Sequence, residues 1–209
     1  MRLILVRHGD AHAGLHGVIA GPKGCRGLTD LGRAQAERLR DHLAAIDDPG
    51  VDLLLASELP RAIETAQIIA PAVGADEVPR DCDLCEVHTG EADATDWAEY
   101  PDRFGTFDMA AEPDRPFAPG GDSWNSFNGR VGAMMDRLAD DHAGRTVMAV
   151  CHAGVIAASV RVRFDLPGAV SDVRLVPTNT GRTVWDRDDA TGQWTLRTYD
   201  DASHLDIGR

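Results

Sequence analysis

Two apolar runs in this 209-residue chain each end in a histidine. Leu3-Ile4-Leu5-Val6 leads into Arg7-His8-Gly9, and Thr146-Val147-Met148-Ala149-Val150-Cys151 leads into His152-Ala153-Gly154. Such runs read as buried strands, and the carboxyl ends of strands are where α/β sheets place ligand crevices. The residue types there point to phosphate. Arginine offers a rigid fork matched to phosphate oxygens, histidine serves as nucleophile or acid/base, and glycine lets a ligand approach the backbone. In Ser57-Glu58-Leu59-Pro60-Arg61, Arg61 falls in the first turn of a helix that follows a strand. Helix N-termini and arginines both favour phosphate. Taken alone, Arg61 reads first as a solvated surface side chain; beside the two histidines it becomes a second clamp.

The elements that must carry these groups follow from pattern. Residues 9–27 are glycine-rich with scattered histidines and read as a loop near the site. Thr29 is an N-cap for a helix over Asp30–Ile46, with Leu31, Ala34, Leu39, Leu43 and Ile46 as its buried face. Val51–Ser57 reads as a strand, and a helix begins near Pro60 and stops before Pro71. Residues 78–122 carry five prolines, many acids and Gly120-Gly121, the character of an insertion covering the site. Its Trp97, Tyr100 and Phe104 read as closing a small core of its own in preference to lining a pocket. From Ser123 a helical stripe of Trp124, Phe127, Val131, Met134, Met135 and Leu138 reads as core. A helix over Val155–Phe164 and runs at Val173–Val176, Thr183–Asp186 and Trp194–Tyr199 complete the chain. Strands alternating with helices predict a single α/β domain over 1–209, with a mostly parallel sheet covered on both faces.

Composition narrows the partners. The formal net charge is -13, which argues against nucleic acid and anionic membrane, since both need a basic face. An anionic substrate must be held by a few local arginines. No apolar stretch reaches the roughly 20 residues of a membrane span, and Leu3–Val6 is shorter than a signal-peptide core, so a cytoplasmic protein is expected. Cys25, Cys82, Cys85 and Cys151 make no disulfide framework in a chain of this size. Cys82-Asp83-Leu84-Cys85 has redox or metal spacing, but no second pair completes a tetrahedral zinc site.

Five blocks in order resemble the histidine phosphatase superfamily, branch 1, also called phosphoglycerate-mutase-like. They are Leu5-Val6-Arg7-His8-Gly9, Leu28 to Ala36, Ser57 to Ala66, Pro119-Gly120-Gly121-Asp122-Ser123, and Val150-Cys151-His152-Ala153-Gly154. The resemblance implies a three-layer sandwich and a metal-independent, histidine-acid-phosphatase-type phosphomonoesterase without cofactor, acting on a small phosphorylated metabolite. It implies that His8 is the nucleophile forming a phosphohistidine, with Arg7, Arg61 and His152 binding phosphoryl oxygens and His152 counted among the catalytic residues. Cationic neighbours would keep the His8 nitrogen unprotonated. A general acid must protonate the departing alkoxide. Ala153 stands where one branch has an aspartate, whereas Leu84-Cys85-Glu86 with Gly90 resembles the other branch and nominates Glu86, with Asp83, Glu91 and Asp10 as competitors. Ala11 and Gly14 depart from a frequent Ser or Thr and an Asn, so two contacts are expected to be missing; His12 and His16 read as loop histidines. Gly27 replaces a usual proline.

Three other readings compete. A cofactor-dependent phosphoglycerate mutase would return the phosphoryl group to a hydroxyl, but the Trp-Asn pair of the mutase pattern is absent. A metal-dependent hydrolase would use His8, His12 and His16 at i, i+4 spacing, which Gly9, Gly14 and Gly17 oppose as a helix. A non-catalytic phospholigand-binding module would keep the pocket without turnover. Oligomeric state is open, a homodimer included.

Overall fold

The computed structural model describes residues 1–12, 17–46, 50–106, 108, 111–166 and 174–205, and in it the first apolar run forms β1 (Arg2–Arg7). It joins β2 (Leu53–Ala56), β3 (Thr146–Cys151), β4 (Arg182–Arg187) and β5 (Trp194–Asp201) in the order β2-β3-β1-β4-β5. β2, β3 and β1 run parallel, whereas β4 and β5 are antiparallel and close one edge. The parallel strands are covered on both faces, which is why their sequences are unbroken apolar runs.

Five helices occur among the described residues: α1 (Asp30–Ala45), α2 (Pro60–Ile69), α3 (Tyr100–Phe104), α4 (Trp124–Asp141) and α5 (Ala153–Arg163). Alternate side chains of the sheet feed two cores. Leu3, Leu5, Val147 and Ala149 pack with α4 and α5, while Ile4, Val6, Met148 and Val150 pack with α1 and α2. The result is a three-layer α/β arrangement. The stripe of Phe127, Val131, Met134, Met135 and Leu138 is fully buried. At roughly 1.5–3 kcal/mol per large apolar side chain, this face holds α4 in place. Ser123 and Ser126 close a reciprocal capping box at its start. No helix among the described residues is long and apolar enough to cross a membrane.

Two expectations outside the 78–122 stretch differ from the structure. Leu31 is 61% exposed and Ala34 is also exposed, because the first turn of α1 is seated through Gly32. A Cβ on Gly32 would lie 1.9 Å from the Asp10 carbonyl oxygen, so backbone approach sets that face where apolar periodicity predicted leucine. Of the Val173–Val176 run, Val173 lies outside the described residues, and residues 174–176 are neither strand nor helix.

Residues 78–122 contain two short 3-10 turns, Cys82–Leu84 and Gly90–Ala92, and α3. Ile19, Ala92, Tyr100 and Ala118 form a small core with Phe104 and Phe117 against it. Trp97 is the exception to the expected grouping: it is 52% exposed and lines the site cavity.

Candidate functional site

Sheet register aligns the three groups that matter. Arg7 on β1 pairs with Cys151 on β3, and Ala56 on β2 pairs with Val150 of the same strand. The next residues, His8, His152 and Ser57, therefore emerge side by side at the carboxyl ends of adjacent parallel strands. The His8 and His152 rings are 5.0 Å apart at 60°, and Ser57 Oγ is 2.7 Å from His152 Nε2.

His8 is nearly enclosed. Its Nδ1 lies 2.7 Å from the Gly9 carbonyl oxygen, which accepts an Nδ1–H and leaves Nε2 with a free lone pair. Arg61 Nε donates to that Nε2 at 3.1 Å. Burial first, and then the Arg61 guanidinium, hold His8 well below the ordinary imidazole range. The same two causes hold His152 well below it. Both rings are therefore neutral at pH 7. His152 Nδ1 is buried and has no hydrogen-bond partner among the described residues, an arrangement that calls for a ligand atom or water.

Arg61 is 6% exposed and reaches the site from the first turn of α2, where Pro60 occupies N1. A second N–H of its guanidinium donates to Ala20 O at 3.0 Å. Arg7 donates to Pro177 O, and burial lowers its pKa. Glu86 comes from the 78–122 stretch to the start of α5. Its Oε2 accepts from Gly154 N at 3.0 Å and its Oε1 from Val87 N at 3.2 Å.

Arg7, His8, Arg61 and Glu86 share one cavity of about 560 Å³, lined also by Val18, Ile19, Trp97, Phe117 and Trp124, whereas His152 lies fully buried behind His8 and is not among its lining residues. The competing carboxylates are placed differently. Asp83 pairs with Arg137 at 3.0 Å, and Glu91 is exposed on a 3-10 turn. Asp10 lines the cavity, but its Oδ2 accepts from Thr29 Oγ1 at 2.7 Å. His16 lies outside the described residues. Among the described residues, the side chains close enough together to hold a metal are Cys82, Cys85 and His88, none of which lines this cavity.

Three supporting residues escaped the sequence reading. Ser57 braces His152, Thr65 Oγ1 accepts from Gly9 N at 3.1 Å, and Asn179 Nδ2 donates to His8 O at 2.9 Å. Thr65 sits one helical turn after Arg61 on the same face of α2, a spacing that was available. Asn179, in contrast, arrives from 171 residues away with no local signal.

Similar proteins place the chain in a family. The chain is 30% identical over 208 residues to the phosphoglycerate mutase-like protein 4 of Arabidopsis thaliana, covering 98% of this chain and 86% of that one. It is 28% identical to the metal-independent phosphoserine phosphatase of the same plant, covering 97% and 82%. The crystal structure of an Entamoeba histolytica phosphoserine phosphatase mutant in complex with phosphoserine superposes with a TM-score of 0.76 at 25% identity, over 98% of each chain. The family model described as histidine phosphatase superfamily (branch 1) matches residues 3–202, and the chain belongs to that superfamily.

Proposed function

We propose that the protein is a metal-independent phosphomonoesterase that passes a phosphoryl group from a small metabolite to His8 Nε2 and then to water. The observation that carries this reading is the state of His8: a neutral ring, its Nδ1–H engaged by Gly9 O and its Nε2 lone pair directed at a buried guanidinium. That nitrogen is a nucleophile without prior deprotonation. On substrate entry the Arg61 N–H would exchange His8 for a phosphoryl oxygen. Arg7, Arg61 and His152 then face the charge on the equatorial oxygens. Nε2 forms the new N–P bond as the ester P–O bond breaks, and the leaving oxygen takes a proton from Glu86. The resulting Glu86 carboxylate accepts a proton from the water that attacks phosphohistidine, which restores both groups. The 78–122 stretch, which supplies Glu86, Trp97 and Phe117 to the cavity, is then the cover of this site.

The rest of the cavity supports a substrate class. Arg7 and Arg61 are the only arginines or lysines among its described lining residues, and both adjoin His8. The rest of the lining is chiefly aromatic and aliphatic. A carboxylate on the substrate, as in 3-phosphoglycerate, would meet no second cation. The reading is therefore hydrolysis of a phosphomonoester whose alcohol half is uncharged and largely apolar or aromatic, in preference to mutase chemistry.

The test is phosphate release from an aryl phosphomonoester by wild type and His8→Ala, with chelator present throughout. Wild type is expected to turn over and the variant to lose more than about 10³-fold in kcat/KM. Activity surviving in His8→Ala would overturn the mechanism. Faster turnover of 3-phosphoglycerate than of the aryl ester would overturn the substrate class.

A further inference from the structure

Outside the cavity, the turn that leads to Glu86 brings together Cys82, Cys85 and His88, whose ligand atoms all lie within 4.8 Å of one another. The sequence offered a cysteine pair with no partner pair; the fold adds a histidine three residues on. We propose that these three side chains form a binding site for a zinc-class divalent cation, with the fourth position open to solvent.

The Cys82–His88 spacing already matches a tetrahedral site, and Cys85 stands within 4.8 Å of both. In tetrahedral zinc sites Zn–S is about 2.3 Å and Zn–N about 2.0–2.1 Å, which puts a sulfur and a nitrogen ligand about 3.5 Å apart. Cys82 Sγ and His88 Nε2 are 3.5 Å apart. The histidine is also oriented as ligating histidines are. Its other ring nitrogen, Nδ1, lies 3.4 Å from Asp122 Oδ2, and that oxygen accepts the His88 backbone N–H at 3.0 Å. A carboxylate beside the distal nitrogen favours a proton there, the tautomer that presents Nε2 to a metal.

The turn is held in this shape by its own chain. The Arg130 guanidinium donates to the carbonyl oxygens of Cys82, Asp83, Cys85 and Glu86 and to Asp122 Oδ2 at 2.7 Å. Little ordering would have to occur on binding. Cys82 is exposed and gives the cation a way in, while Cys85 is buried. Uptake exchanges two thiol protons, released to solvent, for two metal–sulfur bonds and one metal–nitrogen bond. The chelate would tie together the residues on either side of Glu86, but the site does not depend on the phosphatase reading.

The test is titration of the reduced, chelator-stripped protein with Co²⁺ and then Zn²⁺, without oxygen or added thiols. One equivalent of Co²⁺ is expected to give thiolate-to-cobalt charge transfer in the near ultraviolet and the intense visible bands of a four-coordinate centre, and Zn²⁺ is expected to bleach both. Cys82→Ser and His88→Gln, each checked for cooperative thermal unfolding, are expected to abolish those bands and to weaken zinc by at least about 100-fold. Wild type without thiolate bands, or zinc affinity unchanged in both folded variants, would overturn the proposal.

Discussion

Gly154 has no side chain at a place where Glu86 occupies the room: a Cβ there would lie 2.0 Å from Glu86 Oε1. The position tests the proposed proton donor from two directions. Glu86→Gln removes the proton, and Gly154→Ala pushes the carboxyl group away from the α5 terminus that holds it. Both are expected to slow alkyl phosphomonoesters by about 10²–10⁴-fold. Both should slow activated aryl esters far less, because a phenolate-type leaving group departs without protonation. Rates for a series of leaving groups of rising basicity make the check; equal losses across the series in both variants would assign the proton to another group. The residues at the centre of the site were legible because strand ends and helix starts are written locally, in apolar runs and in Pro60. Ser57 and Asn179 were not, since their roles lie in hydrogen bonds to histidines 95 and 171 positions away.

At the scale of elements, the loop after β1 is seated on α1 through two glycines. A Cβ on Gly9 would lie 2.4 Å from Gly32 O, and one on Gly32 would lie 1.9 Å from Asp10 O. Because the opposing atoms are backbone, neither clash can be relieved by turning a side chain. Gly32→Ala is therefore expected to cost about 1–3 kcal/mol, measured by urea unfolding, and to lower turnover by shifting the segment that carries His8. The same turn shows where periodicity fails as a guide. Leu39 and Leu43 are buried as the spacing predicts, but Leu31 is not, because close backbone approach leaves no apolar trace in the sequence. Strand direction is hidden for a related reason. β4 and β5 were found as short runs, and the six-residue link between them marks an antiparallel pair, yet nothing local shows that β4 itself lies antiparallel to β1, which is decided by long-range pairing.

For the whole molecule, the consequential charges are few and enclosed, within a chain of net charge -13. His8 and His152 are buried and held neutral, chiefly by burial and secondly by Arg61. An unfolded histidine takes up a proton near pH 6.5, so below that pH the unfolded chain binds more protons than the native one and stability falls. Each of the two histidines removes up to about 1.4 kcal/mol per pH unit over this range. The partly buried His204, lowered to about 4 mainly by burial, adds in the same direction. Carboxylates act in a separate window. Asp201, whose hydrogen bonds from Ser203 and Arg182 outweigh the effect of burial, is lowered to about 2; its contribution is present above about pH 3.9 and is lost only as pH falls from there toward 2. Relief of the overall negative repulsion also waits for carboxylate protonation. Between pH 7 and 5 the histidines therefore decide the slope. Unfolding free energies measured in phosphate-free buffer are expected to fall across that interval, and less steeply in His8→Asn, which deletes one of the titrating rings while keeping a polar side chain. A flat profile in wild type would mean that the native site already holds its histidines protonated, and a protonated His8 has no lone pair on Nε2 with which to attack phosphorus.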